Sequence, residues 1–227
     1  MIDENFQYEL KKAGQPSDVI YLSEDELSAL SEKMPENLID FIREVGLGVY
    51  YGGLYRMWPP EKFKPILALV FGADEDFSHK DCYVLGETAF GELWGWSEKW
   101  GIFRIDLPSA MVFCSNLTQT EKNISEIDLS RFSSLIFPID EGDVDYYDYD
   151  DEVMYQRCVE AHQQPARDQC FGFFPALALS GVFGPNRSVE NIRLVKALEH
   201  YTLLAQMDRF YLTTVDSDGY KPIRVIG

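Results

Sequence analysis

The sequence predicts an α+β protein: an antiparallel sheet with peripheral helices. Three observations carry that reading. Helical periodicity is confined to a few segments, near 23–46, 153–162 and 197–207. Short β-rich runs follow one another between turn residues from 66 to 113. The chain ends on two further runs, 210–215 and 221–225, around Asp216-Ser217-Asp218-Gly219, a hairpin turn with Asp-Gly at its end.

Taken in order, Ser23 with Glu26 three places on forms a capping box that opens a helix. Pro35 starts a second helix, which carries Leu38, Phe41, Ile42 and Val45 on one face. Gly46 and Gly48 stop it. The aromatic, glycine-broken stretch from Val49 to Met57 reads as a bent strand or hairpin. A meander is expected at 66–71, 82–85, 92–96, 102–105 and 111–113, and 135–139 reads as a short strand or extended link. Asp150-Asp151-Glu152 then places acid near the start of a helix over about 153–162, as the helix dipole favours. The run from Cys170 to Gly181 reads as a buried strand and the turn that ends it. Leu198, Tyr201, Leu204 and Ala205 fall at helical spacing, so a short amphipathic helix is expected to cover that strand. The division expected is one unit over 1–139 and a smaller α+β unit over 140–227.

Twenty Lys plus Arg against 38 Asp plus Glu give a net charge of −18. Such a field repels polyphosphate, so direct binding to nucleic acid or to an anionic membrane surface is not expected, whereas a basic protein partner is attracted from a distance. The first residues show neither a basic stretch nor an apolar one of signal-peptide type, and no apolar run reaches the ~20 residues of a spanning helix. The expectation is a cytoplasmic protein. Cys82, Cys114, Cys158 and Cys170 are widely and irregularly spaced, which argues for reduced, buried thiols rather than a disulfide frame or zinc site. In that compartment the glycosylation sequons at Asn116, Asn123 and Asn186 carry no meaning.

Local catalytic signals are absent. Gly46-Leu47-Gly48 and Gly52-Gly53 suggest a loose phosphate loop, but a helix precedes them and a strand-like run follows, the reverse of what aims backbone N–H groups at a phosphate. Asp143, Asp145, Asp148 and Asp150 lack the glycine and terminal glutamate of a calcium loop. His79, His162 and His200 show no triad arrangement, and His200, beside the apolar face of its helix, reads as a hydrogen-bonded core histidine. Phe90, Trp94, Trp96, Trp100 and Phe103 read as core aromatics of a twisted hairpin. No enzyme activity, cofactor or metal is expected.

One surface feature remains. Eight of the thirteen residues at 140–152 are acidic and three are Tyr. Carboxylates can imitate phosphates, and Tyr offers rigid amphipathic contact area, so this run suits a basic cleft. The alternative is a solvated loop leading into an acid-capped helix. The partner-binding residues expected are Asp143, Asp145, Tyr146, Tyr147, Asp148, Tyr149, Asp150 and Asp151, with Asp143, Asp145 and Asp148 solvated and replaceable by Asn without loss of the fold.

The run Cys170-Phe171-Gly172-Phe173-Phe174-Pro175-Ala176-Leu177-Ala178-Leu179-Ser180-Gly181, followed by Glu199-His200-Tyr201-Thr202-Leu203-Leu204-Ala205-Gln206-Met207, resembles bacterial proteins that pair a GAD-like domain with a small C-terminal domain. Ser180 replaces a Gly of that pattern, and Tyr201 and Met207 replace Leu. The earlier order of helix, Gly-x-Gly, aromatic strand and Trp58-Pro59-Pro60 is similar to the same family and, more distantly, to the SUKH immunity superfamily. The resemblance implies a GAD-like unit followed by an immunity-associated unit. It also implies a non-enzymatic inhibitor of a cognate toxin delivered by type VI secretion. The acidic charge favours a basic nuclease as that toxin, and the expectation is a metal-dependent DNase whose active site is occluded. Two other roles stay open: an adaptor or chaperone for a type VI effector, and a translation-linked, tRNA-associated protein.

Overall fold

In the computed structural model, which describes residues 1–72, 74–118, 129–138 and 140–227, one long sheet organises the chain. Helix α1 (Glu4–Ala13) opens on Asp3, whose side chain accepts the Asn5 N–H. Strand β1 (Ser17–Ile20) follows. Helix α2 (Glu24–Ser31) begins with the expected capping box, Ser23 and Glu26 satisfying each other's backbone N–H groups. Helix α3 (Glu36–Val45) follows Pro35 and buries Leu38, Ile39, Phe41, Ile42 and Val45.

The glycines after α3 serve the turn and the packing. Gly46 caps α3 at φ 81°, and a Cβ there would lie 2.4 Å from Val19 Cγ1. A Cβ on Gly48 would lie 2.5 Å from Pro16 Cβ. Strand β2 (Leu47–Tyr50) and β3 (Tyr55–Met57) then form the expected hairpin, with Val49 opposite Arg56.

Residues 66–71, expected as a strand, are a helix instead: α4 (Lys64–Phe71). Pro65 occupies its first turn, where the missing N–H costs nothing, and Ile66, Leu67, Val70 and Phe71 form one buried side. An apolar run this short looks the same whether helix or strand is to be buried.

The rest of the meander forms as expected: β4 (Cys82–Thr88), β5 (Glu92–Ser97), β6 (Gly101–Asp106) and β7 (Met111–Phe113), each antiparallel to the one before. Both faces of β4 are covered. Tyr83 and Leu85 enter one core with Trp94 and Trp96, while Cys82 and Val84 enter a second with Phe103 and Ile105. The aromatics of this region are core residues, as expected. A short helix α5 (Ser115–Thr118) follows β7.

Of the segment read as a strand or link at 135–139, Leu135 and Ile136 end a 3-10 helix, Leu129–Ile136, Phe137 and Pro138 lie in no regular element, and Ile139 is outside the described residues. It leads to Phe137, whose ring packs 4.5 Å from that of Tyr50, and Tyr55 Oη donates to the Ile136 carbonyl at 2.6 Å. Buried tyrosines thus replace ladder bonds in fixing this stretch.

Helix α6 is Tyr155–His162. Strand β8 (Gln169–Phe173) leads through a turn into the short helix α7 (Leu177–Ser180), and β9 (Ile192–Lys196) pairs with β8 as a separate two-stranded sheet. Helix α8 (Ala197–Met207) buries Ala197, His200, Tyr201, Leu204 and Ala205. Leu198, expected on the buried face, points outward, because the face begins one residue earlier at Ala197. Tyr201, Leu204 and Ala205 share a core with α4 residues as well as with Cys170 of β8.

Strands β10 (Tyr211–Asp216) and β11 (Gly219–Val225) form the expected hairpin. Tyr211 and Leu212 run parallel to Met111 and Val112, so the hairpin extends the first sheet to nine strands in the order β1-β2-β3-β4-β5-β6-β7-β10-β11.

Candidate partner-binding face

The acidic run folds back on itself before α6. The Met154 N–H donates to the Tyr146 carbonyl and the Asp148 N–H to the Glu152 carbonyl, each at 2.9 Å, and Tyr147 bridges Val153. This local pairing delays the helix from the expected Val153 to Tyr155. Its acidic cap comes from ten residues upstream: Asp145 accepts the Tyr155 N–H at 2.9 Å and the Tyr146 N–H at 2.7 Å. Burial pushes the Asp145 carboxyl up to about 6 despite these bonds.

Asp148 is buried, contrary to the solvated position expected for it. Its Oδ1 accepts the N–H groups of Asp150 at 2.9 Å and Glu152 at 3.0 Å, and its Oδ2 pairs with Arg157. Tyr146 is buried too, its ring 5.2 Å from Phe90 and 5.5 Å from Phe173, with its hydroxyl donating to the Asp106 carboxylate. The eight residues named from sequence therefore divide. Asp145, Tyr146 and Asp148 hold the loop in shape, whereas Asp143, Tyr147, Tyr149, Asp150 and Asp151 are exposed.

Beside the exposed group lies a polar cleft of about 190 Å³, where Asp143, Asp145, Tyr146 and Tyr147 meet Glu92, Arg104 and Asp106 of the sheet and Ser109 of the turn between β6 and β7. Glu92 is held by Arg104 Nη1 and Trp94 Nε1, each at 3.0 Å, and burial raises its carboxyl pKa. The Ser109 hydroxyl and Arg187 Nε are buried and lack a hydrogen-bond partner among the described residues. The Arg187 guanidinium lies 4.7 Å from the Tyr146 ring. Exposed Phe183 and Tyr220, their rings 5.3 Å apart, continue the aromatic rim begun by Tyr147. Carboxylates around an open cleft, with aromatic surface at its edge, can take the cationic side chains of a partner and bury apolar area around them. Phe183, Arg187, Ser109 and Tyr220 escaped the sequence reading because they come from three separate stretches that only the fold assembles.

The remaining candidates have structural roles. His200 is buried with its ring stacked on Phe174, centroids 5.7 Å apart, and burial lowers its pKa. All four cysteines are buried free thiols, and burial raises each pKa, to about 12 for Cys82, Cys158 and Cys170 and about 11 for Cys114. Among the described residues no group of three or more His, Cys, Asp or Glu is arranged to hold a metal ion, and no helix is long and apolar enough to cross a membrane.

Comparison with known proteins gives two family matches: the GAD-like domain at residues 4–108, and "T6SS immunity protein Tdi1, C-terminal" at residues 129–208. Among solved structures, the crystal structure of Atu4351 from Agrobacterium tumefaciens is similar, with a TM-score of 0.84 and 28% identity over 98% of this chain and 98% of that one. No curated protein matches the chain.

Proposed function

We propose that this chain, a GAD-like domain followed by a T6SS immunity protein Tdi1 C-terminal domain, binds and neutralises a cognate type VI secretion toxin in the cytoplasm of the cell that makes it. The match over 129–208 carries the reading. We further propose that the toxin is a basic, metal-dependent DNase and that the protein acts without catalysis, by occluding the toxin's active site. A net charge of −18 supports the choice of a basic partner, since it steers such a protein toward the inhibitor and repels DNA itself. The face proposed for the contact is the exposed set Asp143, Tyr147, Tyr149, Asp150 and Asp151 together with the aromatic rim of Phe183 and Tyr220. Asp145, Tyr146 and Asp148 position it.

Titration of the purified toxin is the test. DNase activity is expected to end near one equivalent of the protein. Loss of activity at a small sub-stoichiometric amount would mean that the protein modifies the toxin enzymatically. A complex that forms while the toxin stays active would mean an adaptor.

A further inference from the structure

A second concavity, larger and of different character, lies away from the acidic face. It is an open groove of about 590 Å³, with Trp58 and Lys62 on one wall and the exposed Ala166, Arg167, Lys196 and Leu198 on the other. The first wall belongs to the 4–108 match and the second to the 129–208 match, so the cavity follows the seam between the two domains. Seams of this kind are where small-molecule sites concentrate.

The site is built rather than incidental, because one buried charge centre fixes both walls. Glu87 Oε1, fully buried, accepts Trp58 Nε1 at 2.6 Å and Lys62 Nζ at 3.0 Å, which sets the first wall. Arg56 Nη1 lies 3.9 Å from the same oxygen and donates to the Gln169 carbonyl at 2.7 Å and the Ala166 carbonyl at 3.4 Å, which sets the second. The indole is thereby locked, with Lys62 Nζ 3.3 Å from its ring centroid.

Chemically the cavity runs against the rest of the molecule. In a chain where carboxylates outnumber cations 38 to 20, three cations, Lys62, Arg167 and Lys196, stand against two carboxylates, Asp168 and Glu199, around an apolar surface of Trp58, Ala166, Ala197 and Leu198. Lys62 is committed to Glu87, and Lys196 makes an exposed pair with Asp168. The exposed Arg167 guanidinium rests 4.8 Å from the indole and pairs with none of the described carboxylates. Helix α8 also begins here without a side-chain cap, and its first-turn residues Leu198 and Glu199 line the cavity. The Ala197 N–H is taken by the Asp168 carbonyl at 2.9 Å, so what the helix start adds for a negative group is its dipole.

We propose that this cavity is a binding site for a small amphipathic carboxylate, whose apolar body lies against Trp58 and Leu198 and whose carboxylate is held by Arg167 and Lys196 at the start of α8. An apolar floor accounts for the body, and an unpaired arginine with a rim lysine accounts for the head. This assignment does not depend on toxin binding.

Titration of the ¹⁵N-labelled full chain with indole-3-acetate, followed by amide shifts, tests it. Saturable shifts are expected at Ala166, Arg167, Leu198 and Glu199. Neutral indole-3-acetamide is expected to bind about tenfold more weakly, and Arg167→Ala to weaken indole-3-acetate by about tenfold at unchanged melting temperature, the effect of one lost charge-assisted contact. Lys196→Ala, also at an exposed position, provides a second variant. Three results would each overturn the proposal: no saturation by about 10 mM, equal binding of the amide, or shifts confined to other parts of the protein.

Discussion

Residues 140–152 crowd eight carboxylates into thirteen positions, yet six of the eight are exposed, Asp145 is half-buried and only Asp148 is fully inside. Around Glu87 the reverse holds. Arg56, Lys62 and Glu87 are scattered in sequence, and each is drawn into or against the interior, with Glu87 and Arg56 almost wholly out of solvent. Water and salt screen the first region. The second lies in a medium where an uncompensated charge is costly. Crowding of charge along a chain thus says little about its energetic weight, which burial decides.

The strongest way to break this contrast is Arg56→Ala. It leaves Glu87 with the part-buried Lys62 as its remaining cation, and it strips donors from the Gly53, Ala166 and Gln169 carbonyls. Removing one partner of a buried pair costs about 3–5 kcal/mol, and that is the loss expected in urea unfolding. Since Arg56 joins the 4–108 stretch to the 165–169 segment, the variant is also expected to lose protection from hydrogen exchange in β8. A loss below about 1 kcal/mol would place this centre with ordinary surface pairs.

A third carboxylate sharpens the rule by having no cation partner among the described residues. Glu9 of α1 is buried, its Oε2 has no hydrogen-bond partner among the described residues, and burial pushes its pKa up to about 8. A carboxyl raised in the folded state favours folding while protonated, so its contribution is complete below about 4.5 and is lost as pH rises through 8. Stability is therefore expected to fall across that window, by at most about 1.4 kcal/mol per pH unit from this group. Glu9→Gln keeps the shape without the charge and should flatten the slope. An unchanged slope in the variant would assign the pH dependence to other groups.

Much of the fold was legible because its signals are local. The Ser23–Glu26 capping box, the Gly46 stop and the Asp216–Gly219 turn each act within a few residues. Residues 66–71 failed because all six are apolar, including the exposed Leu69, so no polar position marks the outer face and no periodicity separates helix from strand. The candidate face was half legible. Composition located Tyr147, Tyr149 and the exposed aspartates, but it could not separate them from Tyr146, which a hydrogen bond to Asp106, forty positions away, draws inward. Nor could it supply Phe183, Arg187 or Tyr220, whose meeting with the run depends on the parallel docking of β10 against β7 and on the path from β8 to β9. The cavity beside Trp58 was invisible for the same reason.

The smallest stability effect, and the finest division, lies inside the acidic run itself. Burial works to raise the Asp148 carboxyl, but the N–H groups of Glu152 and Asp150 and the Arg157 guanidinium outweigh it and hold the pKa below the usual range. A carboxyl depressed in this way stabilises above its unfolded pKa, and the contribution is lost as pH falls through the folded value. Asp148→Ala, which removes every one of these bonds, should cost about 1–3 kcal/mol at neutral pH. Asp143, Asp150 and Asp151 are exposed, and changing all three to Asn should leave stability within about 0.5 kcal/mol for each site. Toxin binding is expected to show the other order of sensitivity. The triple variant should bind more weakly, mainly through a slower, less salt-dependent association if its carboxylates lie at the rim, and through faster dissociation if any is desolvated against a toxin cation. Unchanged affinity in a triple variant with normal melting would remove the exposed carboxylates from the inhibitory face and leave the Tyr147, Phe183 and Tyr220 rim as the surface to substitute next.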